Sequence, residues 1–274
     1  MFGQRGSVAK GNDGNYFQHS VEIAVALHLT KLSLQGDLHI ALTHGRAPFE
    51  PCDTPPNGQA RSLLDKALQA AQNHPTSGEP SIITAYRKTR ASREHYPNTG
   101  ELLSAMIGRD RLSGGITEVV EQKHAALAKV WSGSRVTPVN SSWRHEVFPG
   151  GALSYPATLH VPWLFAADPM TFREDGYEDD NKLYRADLPR LTTTLKGFVA
   201  SGQPGVAALF VYSVRPEVRT QFWTFADDLA ANSGAHVVPC WVTQQGGNRN
   251  LAALLCSRVV LPAGWMPPGV NACR

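Results

Sequence analysis

Apolar positions along this chain follow two rhythms: short continuous apolar runs, and longer stretches with helical spacing. The clearest run, Val161 to Ala167, carries no charge and stops at Asp168-Pro169. Such a run, closed by a residue that cannot donate a ladder hydrogen bond, predicts a strand buried on both faces. Comparable patterns predict strands at Asp37 to Gly45, Arg111 to Glu118, Arg135 to Asn140, Val206 to Ser213, Val237 to Thr243 and Leu251 to Val260. Helical spacing predicts Tyr16 to Leu34, where Val21, Val25, Leu29 and Leu32 recur, and Arg61 to Gln72, with Leu63, Leu64, Ala67, Leu68 and Ala71 as its apolar stripe. Further helices are predicted at Pro80 to His95, at Glu101 to Ile107 with Thr99 as its cap, and at Val119 to Trp131. Two more follow: Asn181 to Ser201, bent at Pro189, and Pro216 to Ala231.

Strands alternate with helices until the last two strands, which meet across Gln245 to Arg249. The alternation predicts an α/β fold: a Rossmann-like, mostly parallel sheet of about seven strands that finishes in a hairpin. Residues 1–274 are expected to form a single domain, with residues 47–97 as a helical insertion after the first core strand.

Open α/β sheets bind ligands outside the carboxyl ends of their strands. Asp168, Glu118 and Asn140 fall at such ends, and the first strand runs into the turn Thr43-His44-Gly45. A carboxylate at a strand tip, followed by proline and an aromatic, suits a site that grips a planar base and accepts a hydrogen bond from its exocyclic amine. Each residue also has a plainer role. Asp168 ends a strand, Glu118 favours a helix N-terminus, Asn140 suits a turn, and His19 lies in the first turn of a helix. The chain has no GxGxxG, Walker or GxSxG motif, which leaves oxidoreductase and hydrolase readings with little support.

Composition changes this picture little. Among 274 residues, 42% are hydrophobic and 18% charged, with a net charge of +3, which is compatible with a nucleic-acid partner without requiring one. Arg87, Lys88, Arg90 and Arg93 form the densest cluster of cations, either a solvated helix face or a phosphate-contacting surface. The acidic run Glu174 to Asp180 reads as a solvated loop. Cys52, Cys240, Cys256 and Cys273 are scattered without zinc-ligand spacing, so no metal is expected; Cys240 and Cys256 lie in apolar runs and read as buried thiols. No run reaches the ~18 apolar residues of a membrane span, and the first residues lack the apolar core of a signal peptide. A cytoplasmic protein with reduced thiols is the expectation.

With these pieces placed, the chain resembles the bacterial 23S rRNA adenine-N6 methyltransferases of the Rossmann type. The likeness runs through nearly the full length: Gly11-Asn12 followed by His19-Ser20-Val21; Thr43-His44-Gly45; Tyr96-Pro97 with Thr99; Thr117-Glu118; Arg135-Val136 leading to Asn140; Asp168-Pro169; and Val211-Tyr212-Ser213. The resemblance implies S-adenosylmethionine as cofactor, held by His19, His44, Thr99, Glu118 and Asn140. It implies a catalytic group of Asp168, Pro169 and Phe172, with Asp168 accepting the adenine amine and Phe172 stacking on the base. RNA is the implied partner ahead of DNA. Three positions depart from the family pattern: a Gly-rich turn becomes Gly45-Arg46-Ala47-Pro48, an Asp becomes Asn140, and Asp-Pro-Pro-Tyr becomes Asp168-Pro169-Met170-Thr171-Phe172. The first places bulk where the methionine end of the cofactor should pass. The departures keep a second reading open, a relative without transfer activity that binds nucleic acid, a nucleotide or a protein.

Overall fold

The computed structural model describes residues 13–46, 48–52, 62–169, 171–176, 179–213, 216–245, 248–262 and 271–272. In chain order the elements are α1 (Asp13–Thr30), β1 (Leu38–Leu42), α2 (Ser62–Gln72), α3 (Ser81–Thr89), α4 (Thr99–Ile107), β2 (Leu112–Thr117), α5 (Glu121–Trp131), β3 (Arg135–Val139) and α6 (Trp143–Glu146). They continue with β4 (Trp163–Ala167), β5 (Thr171–Arg173), β6 (Lys182–Tyr184), α7 (Leu188–Ala200), β7 (Gly205–Ser213), α8 (Pro216–Ser233), β8 (His236–Gln245), β9 (Asn248–Ser257) and β10 (Asn271–Ala272).

The main sheet has the order β10-β8-β9-β7-β4-β1-β2-β3. β3, β2, β1, β4 and β7 pair in parallel, whereas β9 runs antiparallel to both β7 and β8. This is the expected Rossmann-like sheet with a hairpin at its end, and the two-residue β10 adds an eighth strand at the edge. β1 and β4 are neighbours, with the chain progressing outward from them in both directions. They mark the topological switch point, where a crevice opens at the carboxyl edge.

Burial follows the period-two geometry of strands. Leu164 and Ala166 of β4 face one apolar cluster with α1 to α5, while Trp163, Phe165 and Ala167 face a second with α6, α7 and α8. The apolar stripe of α2 (Leu64, Ala67, Leu68, Ala71) and Ile82, Ile83, Ala85 and Tyr86 of α3 join the first cluster. The helices between β1 and α4 are therefore packed into the body of the domain.

Several sequence expectations are corrected. The helix expected from Asn181 begins at Leu188, after β6 and a short 3₁₀ turn, and Pro189 occupies its first turn, where proline's missing N–H costs nothing. The helix expected to reach His95 stops at Thr89, with Arg90 capping it in the left-handed region at φ 54°. Thr99 is not the cap of α4. Asn98 caps it, accepting from the Glu101 N–H at 3.0 Å, while Glu101 accepts from the Asn98 N–H at 2.9 Å. Cys256 is a buried free thiol, whereas the side chain of Cys240 lies outside the described residues. Among the described residues no helix is long and apolar enough to cross a membrane, and no group of His, Cys, Asp and Glu is arranged to hold a metal.

Gly205, paired with Trp163 in register, is where the sheet tolerates no side chain: a Cβ there would lie 2.0 Å from the buried indole. Gly205→Ala is expected to lower unfolding free energy by about 1–3 kcal/mol, the usual cost of overpacking a core. Urea titration of both proteins tests this, and an unchanged midpoint would show that the β4–β7 contact is looser than described.

Candidate active site

The carboxyl ends of β1, β2 and β4 and the first halves of α1 and α4 converge on one crevice. Two cavities lie there. The smaller, about 20 Å³, is lined by Gln18, His19, Tyr96, Asn98 and Thr99 among others; the larger, about 180 Å³, by Thr117, Glu118, Val120, Trp143, Asp180 and Tyr212 among others. His44, Arg46 and Asp168 line both and form the wall between them.

Asp168 follows the last residue of β4 and is buried. Its Oδ2 accepts from the Arg46 guanidinium at 3.2 Å; its Oδ1 is buried and makes no hydrogen bond of full geometry, although the Tyr212 hydroxyl and the Gln18 amide lie close enough to favour the charged form. Burial pushes the Asp168 carboxyl up to about 6, against the opposing pull of Arg46. At neutral pH it is still mainly an anion. The guanidinium reaches it from a fixed backbone: Arg46 sits at φ 49°, and its carbonyl accepts from the Asn98 side-chain amide at 3.2 Å. Gly45, just before it, is required for packing. Its N–H donates to the Thr117 carbonyl at 2.7 Å, and a Cβ would meet Leu127 at 2.5 Å.

The two histidines are held neutral by burial, which pulls His19 down to about 3 and His44 to about 4. His19 Nδ1 lies 3.1 Å from the Tyr96 hydroxyl, which lies 2.9 Å from that of Tyr86. His44 Nε2 donates to the Asp180 carbonyl at 2.9 Å, so Nδ1 accepts from the Thr43 hydroxyl at 2.5 Å. Thr99 donates to Glu22 at 2.7 Å, and Gln18 donates to the other Glu22 oxygen at 3.0 Å. Burial outweighs both bonds and drives the Glu22 carboxyl up to about 8. Glu118, at the tip of β2, lines the larger cavity and accepts from the Val120 N–H at 2.8 Å.

Of the residues expected at the site, His19, His44, Thr99, Glu118 and Asp168 are therefore brought together, with the buried Pro169 directly after Asp168. Asn140 is exposed at the tip of β3 and does not line either cavity. Phe172 does not support a stacking role. β5 turns it inward, fully buried, against Phe222 and Phe225 at ring separations of 6.3 and 5.2 Å. The cation cluster is also reduced. Arg87 pairs with Glu79, and Arg93 forks onto Asp65, leaving Lys88 and Arg90 as the exposed members without an acidic partner among the described residues. Gly11 and Asn12 lie outside the described residues.

Gln18, Glu22, Arg46, Trp143 and Asp180 were not expected at the site, and Tyr212 stood in a quoted segment without an assigned role. Arg46 carried a signal as bulk in a turn expected to be glycine-rich, and Tyr212 as part of the Val211-Tyr212-Ser213 segment. Asp180 was hidden in an acidic run. It is pinned over the crevice by Arg144 at 3.0 Å, whose guanidinium also forks onto Asp187 at 2.7 and 2.9 Å. A larger cavity of about 680 Å³, lined by His39, Ser113, Tyr155 and Thr194 among others, opens toward the amino ends of β1 and β2 and contains none of the expected site residues.

No protein-family model and no curated protein matches the chain. Among solved structures, a Legionella pneumophila protein described under the family model DUF519 is similar over 91% of this chain and 86% of its own, at 12% identity and a TM-score of 0.59. That similarity shows a shared fold. A putative RNA methyltransferase from Pyrococcus horikoshii (12% identity, 88% of this chain and 96% of that one, TM-score 0.33) and a 16S rRNA (adenine(1408)-N(1))-methyltransferase mutant from Catenulisporales acidiphilia (15% identity, 77% and 97%, TM-score 0.29) match far more loosely.

Glu22 provides a pH test of the site. Its folded value lies above that of an exposed carboxylate, so the folded state binds the proton more tightly than the unfolded chain. Stability is expected to fall as pH rises from about 4.5 through about 8, where the unfolded chain has released a proton that the fold retains. Glu22→Gln should flatten that decline in urea midpoints taken between pH 5 and pH 8.5. An unchanged slope would mean that Glu22 is ionised in the folded protein.

Proposed function

We propose that this protein is an S-adenosylmethionine-dependent methyltransferase acting on the N6 amine of adenine in nucleic acid, RNA ahead of DNA. One observation carries the reading: residues from α1, β1, α4 and β2 converge on both sides of a buried carboxylate at the switch point of the sheet. The donor set fits the cofactor. Glu118 supplies acceptors at the strand tip where ribose hydroxyls are commonly held. Val119, Val120 and Trp143 supply flat apolar walls beside it, and the neutral His19 and His44 add no charge against a cationic sulfur. When bound, S-adenosylmethionine supplies an electrophilic methyl group.

The chain's own contribution is positioning and electrostatics. Asp168 Oδ1, buried with no hydrogen bond of full geometry and with the Tyr212 hydroxyl and the Gln18 amide beside it, accepts a hydrogen bond from the adenine amine and orients the nitrogen lone pair. The base has to leave its stack to reach that depth. Phe172 takes no part in holding it. Lys88 and Arg90 offer exposed positive charge for phosphates, a smaller surface than four cations would give. A second reading, a binding module without transfer activity, is favoured by the Arg46–Asp168 contact, which occupies one oxygen of the acid.

The test is methyl transfer from labelled S-adenosylmethionine to adenine-containing RNA and to DNA of the same sequence. Asp168→Asn is expected to lower transfer by at least about a hundredfold, as for loss of an electrostatic group in other enzymes, while cofactor affinity stays within a few-fold. Transfer that survives Asp168→Asn contradicts the assigned role. A wild-type protein that binds cofactor and transfers to neither polymer favours the binding module.

A further inference from the structure

Arg46 is the feature of the crevice that the proposed function leaves unexplained. Among the described residues lining the smaller cavity it is the only permanent cation; both histidines there are neutral, and Glu22, bonded to Thr99 of the lining, is driven toward its protonated form. Its guanidinium makes a single 3.2 Å contact with Asp168 rather than a fork, and the side chain is 26% exposed against 6% for its partner. A partly buried ion pair held by one hydrogen bond gives back little of the desolvation it requires. The backbone under it is also unusual. A left-handed conformation at a residue that is not glycine costs about 1–3 kcal/mol, and here the Asn98 amide at the N-cap of α4 fixes it. The strain sits at the wall that separates the two cavities.

That wall matters for size. Small-molecule sites usually occupy about 300–1,000 Å³, and neither cavity, at about 20 and 180 Å³, reaches that range. A ligand that touches Thr99 on one side and Glu118 on the other has to pass the wall, and of its three members only Arg46 has a long, partly exposed side chain. His44 is fixed through both ring nitrogens and Asp168 is buried at a strand tip.

We propose that Arg46 is the carboxylate-binding residue of the cofactor site. Its guanidinium leaves Asp168 when ligand enters and forks onto the carboxylate of the ligand's amino-acid end. The exchange opens the two cavities into one and frees both Asp168 oxygens together, so that the acid becomes fully available only when the cofactor is in place. The chemistry fits the side chain, since guanidinium matches a carboxylate by two parallel hydrogen bonds where a single N–H···O contact now stands. No covalent step is involved. This inference rests on the cofactor assignment above.

Calorimetric titration of the full chain with S-adenosylhomocysteine and with its decarboxylated form, which keeps the amine and lacks only the carboxylate, tests it. Wild type is expected to prefer the carboxylate-bearing ligand by about tenfold to a hundredfold, the range of one charge-assisted pair. In Arg46→Ala that preference should collapse to within about threefold, and Arg46→Lys, which keeps the charge without the fork, should recover part of it. Thermal unfolding of each variant confirms that it is folded, and Arg46→Gln replaces any that is not. A preference that survives in Arg46→Ala overturns the proposal, because the carboxylate is then held elsewhere. Equal tightening of both ligands in Arg46→Ala also overturns it, showing a side chain that only obstructs. If wild type binds neither ligand, the cofactor assignment itself fails and the exchange falls with it, an outcome distinct from the other two.

Discussion

The parallel pairing of β1 with β4 is the constraint on which the rest depends. Register from His39 opposite Trp163 to Leu42 opposite Ala166 ends both strands at nearly the same height. The turn after β1 and the acid after β4 are thus forced into contact. Because β2 lies on the other side of β1 and β7 on the other side of β4, Glu118 and Tyr212 arrive at the same edge. Crossover helices cover both faces of the sheet, so the carboxyl edge is where backbone ends and loops remain to bind something. A slip of one residue in β4 would exchange its two apolar faces and turn Trp163 and Phe165 toward α1.

Around that edge the protein keeps an unusual balance of charge. Asp168 and Glu22 are raised by burial, His19 and His44 are lowered by it, and Arg46 remains as a fixed cation among them. Groups tuned apart in this way are characteristic of sites that bind or transform a ligand, since a purely structural core has little reason to keep so many ionisable side chains. Burial also accounts for the hydrogen bonding: Glu22 takes both Thr99 and Gln18, and Asp168 takes Arg46 with the Tyr212 hydroxyl close by. A binding module would need the first arrangement. The proposed amine acceptor asks for the second, a buried carboxylate at the switch point.

Much of the fold was legible in the chain because its signals were local. The apolar run closed by Asp168-Pro169 defined β4, and helical spacing defined α1, α2 and α8 to within a few residues. Errors came where tertiary contacts override local pattern. Residues after Asn181 have helical composition, but β6 pairs with β5 before α7 begins. Asn98 outcompetes Thr99 as a cap because Thr99 is drawn to Glu22, a partner 77 positions away. Site residues followed the same rule. His19, His44, Glu118 and Asp168 stood in recognisable contexts, whereas Gln18 and Glu22 lie one turn apart on a buried helix and carry no motif. Phe172 was misplaced because spacing in a loop does not reveal which way a short strand turns its side chain. The pairing of the cations at 87 and 93 was not legible, because Asp65 lies on α2 and Glu79 just ahead of the stretch that reads as a helix.

The central claim is that this crevice is built for an adenosyl cofactor with its ribose at Glu118. Its most direct test is the dissociation constant of S-adenosylhomocysteine for wild type and for Glu118→Ala, measured by calorimetry on folded protein. The account expects micromolar binding in wild type, weakened by at least about tenfold in the variant, which is the worth of one hydrogen bond to a charged group. No heat at millimolar ligand, or an equal constant in both proteins, would contradict it.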